Sequence, residues 1–258
     1  MFRPAPPFNE RVAYGPHPST FFDLRFPIER RPLAVAIMIH GGFWRTRFDL
    51  AHAGHLCAAL ATAGLATANL EYRRVGEEGG GWPGTFDDVR TGIGAIRDRF
   101  PGLQTVVLGH SAGGHLALWA ASEFPDLAGV VALGPVARLR SAWNLHLSDN
   151  AVAELLGGPP DLVSYRYDAA CPTARPSAAP RILIHGLEDD VVPVSLSREF
   201  VAARNRDVGP VELVELADAD HFDVIDPQSA AWPVVLDRVL STIDRISAIV
   251  RSSSSSVV

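Results

Sequence analysis

The chain has 258 residues, 47% of them hydrophobic and 20% charged, and a formal net charge of −6. That length can bury a full core in one α/β domain, and the acidic balance offers nucleic acid no broad basic surface. All 23 basic residues are arginine, which excludes Schiff-base catalysis, a phosphate-loop lysine and a Ser-x-x-Lys nucleophile.

Residues 1–19 are rich in proline and polar groups and are expected to wrap the surface. They lack the apolar core of a signal peptide, and no uncharged stretch approaches the ~20 residues that span a bilayer, so the cytoplasm is the expected compartment. Residues 21–26 predict an edge strand closed by Pro27. The continuous apolar run 34–39 has the character of a strand buried on both faces, and it ends in His40-Gly41-Gly42-Phe43-Trp44. Leu50, Ala53, Leu56, Cys57 and Leu60 recur at helical spacing up to Gly64, a good C-terminal stop. Residues 65–70 predict the next strand and 75–84 a glycine-rich loop. Thr85 with Asp88 resembles a helix-start box, and Phe86, Val89, Ile93, Ile96 and Phe100 form the buried stripe of the helix that follows.

Residues 105–108 and 129–133 predict two more buried strands. Residues 136–179 break the rhythm, with a short helix near 151–156 and many prolines, and are expected to form a small cap over a site at the carboxyl end of the sheet. Strands at 181–186 and 211–216 and helices at 197–204 and 232–249 complete the pattern. Serines 252–256 have nothing to pack and are expected to be disordered. Strand–helix alternation predicts one α/β domain over residues 1–251, a mostly parallel sheet covered on both faces. The two cysteines, Cys57 and Cys171, fit no metal or redox spacing, and Cys57 is expected in the core.

Between the strand at 105–108 and an apolar helical run lies Gly109-His110-Ser111-Ala112-Gly113-Gly114-His115. Strand, Gly-x-Ser-x-Gly turn, helix is the context of a nucleophile elbow: the turn strains the serine backbone and holds its oxygen out in front of a helix N-terminus. A serine needs a base and the base an orienting acid. Downstream, Glu188-Asp189-Asp190 follow the strand ending at His185-Gly186, and His221 follows the last strand. This is the order Ser…acid…His, each member on a loop after a strand.

These residues together resemble the α/β-hydrolase superfamily, and within it the hormone-sensitive-lipase-like branch of bacterial carboxylesterases and kynurenine formamidases, over nearly the whole chain. His40-Gly41-Gly42-Phe43-Trp44 is similar to the His-Gly-Gly-x-Trp of kynurenine formamidases, with Phe43 where many esterases have a third glycine. The resemblance implies Ser111 as nucleophile, His221 as base and, through the pattern His-Gly-x-x-Asp-x-x-Val-Pro, Asp189 as the acid, with Asp190 the alternative. It also implies an oxyanion hole from the amides of Gly42, Phe43 and Ala112. His40 is expected to brace that loop and His185 to be structural. Trp44 has two readings: lining the substrate pocket or buttressing the loop.

The implied activity is hydrolysis of a small ester or an aryl formamide, N-formylkynurenine included, through an acyl-enzyme, with a general carboxylesterase as the alternative. A non-catalytic binding protein on the same fold would have lost a triad member, and the chain has no room for the gating domain of an oligopeptidase. The expected partner is a small-molecule substrate. No cofactor, metal, nucleic acid or membrane span is expected; His52-x-x-His55 lacks the glutamate of His-Glu-x-x-His, and His115 stands where a phosphate loop needs lysine. Oligomeric state is left open, a homodimer included.

Overall fold

The computed structural model describes residues 4–28, 30–203 and 209–254, and side chains of the last helix through residue 243. Eight strands form one sheet: β1 (Glu10–Ala13), β2 (Phe21–Arg25), β3 (Val35–Ile39), β4 (Ala66–Leu70), β5 (Thr105–His110), β6 (Gly129–Leu133), β7 (Arg181–Gly186) and β8 (Val211–Leu216). Their order is β1-β2-β4-β3-β5-β6-β7-β8. β1, β2 and β4 pair antiparallel, and every pairing from β4 through β3 to β8 is parallel.

The helices are α1 (Gly54–Thr62), α2 (Gly84–Arg99), α3 (Ala112–Glu123), α4 (Leu139–Asn144), α5 (Ala151–Leu156), α6 (Ser164–Ala170), α7 (Ser195–Ala202) and α8 (Trp232–Ser254), with a 3-10 turn at Leu50–Ala53 before α1. Alternate strand residues face opposite layers, as the two-residue period of a strand requires. Val106, Leu108 and Val131 pack with Leu56 and Leu60 of α1 and Val235 and Val239 of α8. Val107, Val130 and Ala132 pack with Phe86, Val89 and Ile93 of α2 and Leu116 of α3. Burying each such Val, Leu or Ile contributes roughly 1.5–3 kcal/mol. This two-sided cover explains the continuous apolar runs in β3, β5, β6 and β7. Cys57 lies in this core, where burial pushes its thiol up to about 12.

Four local expectations need correction. Residues 21–26 do not form an edge: β2 lies between β1 and β4. β1 falls within the stretch expected merely to wrap the surface. Its half-exposed Glu10-Arg11-Val12-Ala13 carries little hydrophobic signal, and Arg11 holds it to β2 by a two-point pairing with Asp23 (2.7 and 2.8 Å). Thr85 and Asp88 are not a helix-start box. α2 already begins at Gly84, the Thr85 hydroxyl donates to the Arg73 carbonyl, and Asp88 accepts from the Arg73 amide and guanidinium. Both residues clamp the loop after β4 to the helix. Finally, α8 continues through Ser254, since serine costs a running helix little; the rest of the serine run lies outside the described residues.

Residues 136–179 form three short helices, α4 to α6, rather than the one expected near 151–156. Buried side chains pin this segment down. His115 Nε2 donates to the Ala170 carbonyl (2.9 Å) and Trp119 Nε1 to the Ala169 carbonyl (3.2 Å), both from α3. Arg45, just after the His-Gly-Gly loop, pairs with Glu154 and donates to Ser148 Oγ. The segment is thus joined directly to α3 and to the His-Gly-Gly loop.

Candidate active site

β5 runs straight into α3, and Ser111 between them has φ +55° and ψ −118°. A non-glycine residue held there stores roughly 1–3 kcal/mol of strain, which the surrounding packing must sustain. Glycine is required around it for space. A Cβ at Gly109 would lie 2.1 Å from the Gly113 carbonyl oxygen, and one at Gly113 2.1 Å from the Ile39 carbonyl oxygen. The Ser111 amide donates to the Leu133 carbonyl (2.8 Å), and its carbonyl accepts from Val136 (3.1 Å) and His115 (3.2 Å). The turn is therefore fixed by β6 and by α3 itself.

Of the three consecutive acids after β7, the structure brings Asp189 to His221: His221 Nδ1 donates to Asp189 Oδ2 at 2.7 Å. Glu188 and Asp190 are exposed. Asp189 Oδ1 accepts from the amides of Val191 (3.0 Å) and Val192 (2.7 Å), and His185 Nε2 stands 3.2 Å from Oδ2. Burial alone would raise this carboxyl. The hydrogen bonds from His185 and His221, the charge His221 carries when protonated and the Val192 amide outweigh it and hold the group well below the usual carboxylate range. His185 is structural, as expected: its Nδ1 accepts from Ser197 Oγ (2.7 Å) while Nε2 donates to the Val192 carbonyl (2.8 Å). Gly134 leaves room for the pair, since a Cβ there would sit 3.2 Å from Asp189 Oδ2 and 3.3 Å from His221 Nδ1.

The loop after β3 folds over the elbow. Gly42, Phe43 and Trp44 have φ of +107°, +52° and +59°, so two bulky residues occupy left-handed backbone where a glycine would be unstrained. His40 Nδ1 donates to the Gly41 carbonyl (2.8 Å), and its Nε2 pairs with the buried Glu71 carboxylate (2.7 Å). In a trans peptide the C=O and N–H point opposite ways, so pinning the Gly41 carbonyl turns the Gly42 amide away from His40. Among the described residues no hydrogen bond engages the amides of Gly42, Phe43 or Ala112. Three free donors thus flank Ser111.

Glu71 went unnoticed in the sequence. It also accepts from the amides of Leu50 and Tyr72. Burial opposes its ionisation, but the pairing with His40, the Arg74 cation and the Tyr72 amide prevail and keep its carboxyl below the ordinary range. His52 supports the same loop: its Nδ1 donates to the Asp49 carbonyl (2.9 Å) and its Nε2 accepts from the Gly41 amide (3.4 Å). Burial, then the neighbouring His40, lower its pKa to about 4, so it stays a neutral acceptor near pH 7. Among the described residues no group of three or more His, Cys, Asp or Glu could hold a metal ion.

A cleft of about 230 Å³ opens over Ser111 and His221, walled by Gly42, Phe43, Phe48, Val191 and Phe222, with Arg47 and Ser148 also lining it. Trp44 is not in that lining. It is wholly buried, edge-on to the His115 ring at 5.3 Å. Of its two readings the buttress holds, and its assignment to substrate binding is corrected: the turn at Phe43 sends the phenyl ring to the cleft and the indole beneath it. Phe48, Val191, Phe222 and Ser148 were not singled out from the sequence, apart from Phe222 as the neighbour of His221.

A family model described as BD-FAE matches residues 22–126, the span from β2 through α3. Esterase LipC of Mycobacterium tuberculosis is 28% identical over 84% of this chain and 60% of its own length. The uncharacterized protein YfhR of Salmonella typhimurium is 25% identical over 89% of this chain and 80% of its own. The chain therefore spans about 60% of the length of LipC. Among solved structures, a truncated carbohydrate esterase from gut microbiota superposes with a TM-score of 0.78 at 18% identity, covering 92% of this chain and 97% of that one. Esterase B of Lactobacillus rhamnosis gives 0.77 at 20% identity, covering 95% and 87%. Likeness at these identities establishes a common fold.

Proposed function

We propose that this chain, which has the fold of the α/β-hydrolases, is a serine carboxylesterase acting on short-chain or aromatic esters. The observation that carries this reading is the 2.7 Å bond from His221 to Asp189, with His221 and Ser111 lining the same cleft. Asp189 fixes the His221 proton on Nδ1, which leaves Nε2 to take the Ser111 proton. Ser111 Oγ then attacks the ester carbonyl, and the amides of Gly42, Phe43 and Ala112 receive the oxyanion. Collapse breaks the C–O bond, and His221 gives its proton to the departing alkoxide. Water, deprotonated by the same histidine, attacks the acyl-enzyme and releases the acid.

Ester is favoured over formamide by the site and by its relatives. A cleft of about 230 Å³ with three phenyl rings in its wall has room for a short acyl chain beside its leaving group. The tryptophan of the formamidase-like motif, Trp44, is buried away from the cleft and offers a formamide no contact. LipC carries an esterase name, so the formamidase reading gives way to the carboxylesterase alternative. Residues 136–179, which lend Ser148 to the cleft, act in this reading as a small cap. Among the described residues no helix is long and apolar enough to cross a membrane.

The test is kinetic. The purified protein is expected to hydrolyse p-nitrophenyl acetate and butyrate with kcat/KM at least 100-fold above that for N-formylkynurenine. Preference for the formamide, or no turnover of either ester, would overturn the assignment.

A further inference from the structure

We infer that His110, the residue before the nucleophile, is a positioning residue that locks the main chain of His221 to the elbow. His110 is 2% exposed, and its Nε2 lies 2.8 Å from the His221 carbonyl oxygen. A carbonyl only accepts, so Nε2 carries the proton and donates. His110 Nδ1 is buried with no partner among the described residues, which places a lone pair rather than a second proton there. Burial, and then the charges of His221 and His52, push the His110 pKa well down, so the ring stays neutral.

The geometry gives this bond a task that the Asp189 contact does not perform. Asp189 fixes the His221 ring through Nδ1, and the backbone bonds on either side, from the Glu188 amide to the Ala219 carbonyl and from the Ile225 amide to the Phe222 carbonyl, stay within the loops after β7 and β8 and do not reach β5. His110 fixes the carbonyl of His221 itself. Because His110 is joined by one peptide bond to Ser111, nucleophile and base share one rigid unit: ring held from β7, backbone held from β5. The His110 and His221 rings lie 4.6 Å apart, centre to centre. A neutral His110 lets His221 become an imidazolium during turnover without like-charge repulsion.

This inference rests on the ester-hydrolase reading, and its tests separate the two. On the unmodified protein, long-range 1H–15N spectra are expected to show His110 as the neutral Nε2–H tautomer from pH 5.5 to 9; an Nδ1–H tautomer, or titration of His110 in that range, overturns the inference whatever the activity. In kinetics, His110→Phe keeps the ring shape without the donor and is expected to lower kcat on the order of 10²-fold with KM nearly unchanged, the scale of a small misplacement of reacting groups. His110→Gln, whose side-chain amide can reach the carbonyl, is expected to recover at least ten-fold of that loss. Equal losses in both variants, or His110→Phe within three-fold of the unmodified kcat, contradict the positioning role. If the unmodified protein itself turns over no ester, it is the proposed function that fails, and the tautomer still decides on the bond.

Discussion

Ser111→Ala is expected to lower kcat for p-nitrophenyl acetate roughly 10⁶-fold, with KM changed little and the melting temperature within a few degrees of the parent. The effect is large because Ser148, the other serine lining the cleft, is engaged by Arg45 and not by the His221–Asp189 pair. The free amides of Gly42, Phe43 and Ala112 would still polarise a bound carbonyl, so some acceleration over water should persist. Stability should hardly move: the replaced hydroxyl makes no hydrogen bond among the described residues, and alanine suffers the same strain at φ +55° that serine does. Steady-state kinetics with denaturation curves check both halves. A loss under 100-fold would mean that Ser111 is not the nucleophile.

Asp189→Asn is expected to cost about 10⁴-fold in kcat through the tautomer of His221. Asparagine can keep its oxygen on the amides of Val191 and Val192, where Oδ1 now accepts. Its NH2 would then face His221 Nδ1, which must become an acceptor, moving the ring proton to Nε2. A base already protonated at Nε2 cannot take the serine proton. The same NH2 would confront the proton of His185 Nε2, 3.2 Å from Oδ2 in the parent, so stability should fall as well. The pH dependence has a definite sign. Asp189 is held below its unfolded value of about 3.9, so its ionised form contributes stability above about pH 4 and loses it as pH falls through the depressed folded value. Urea denaturation should therefore show the parent's advantage over Asp189→Asn in full at pH 7 and shrinking below pH 4. A kcat within ten-fold of the parent, or an advantage that grows in acid, would contradict this role.

The parallel core of the fold was legible because β3, β5, β6 and β7 are buried on both faces and carry apolar runs. The elbow, the acid and the histidine were legible because each sits at a fixed place, the turn after a strand. What escaped has physical reasons too. β1 is short and half-exposed, and although its burial alternates, Glu10 stands on the inner face and Ala13 on the outer, so no apolar period emerges in Glu10-Arg11-Val12-Ala13. Thr85 and Asp88 have the spacing of a capping box, but their partner is Arg73, on the other side of a glycine-rich loop. Glu71 looks like an ordinary charge beside Arg73 and Arg74 until the sheet brings it to His40, far away in sequence. The walls of the cleft are harder still. Phe48, Ser148, Val191 and Phe222 come from four separate loops, and no local pattern links them. Trp44 illustrates the limit most clearly: the sequence left pocket lining and loop buttress equally open, and a left-handed backbone turns it under the loop.

The central claim is that Ser111, activated by His221 and Asp189, forms the acyl-enzyme. Incubation of the folded protein with a fluorophosphonate, followed by peptide mass spectrometry, tests it most directly. One equivalent of the phosphonyl group is expected on Ser111, with stoichiometric loss of esterase activity and labelling slowed at least 10³-fold in a His221→Ala variant. Label on another residue, or an unlabelled protein that still hydrolyses esters, would contradict the account.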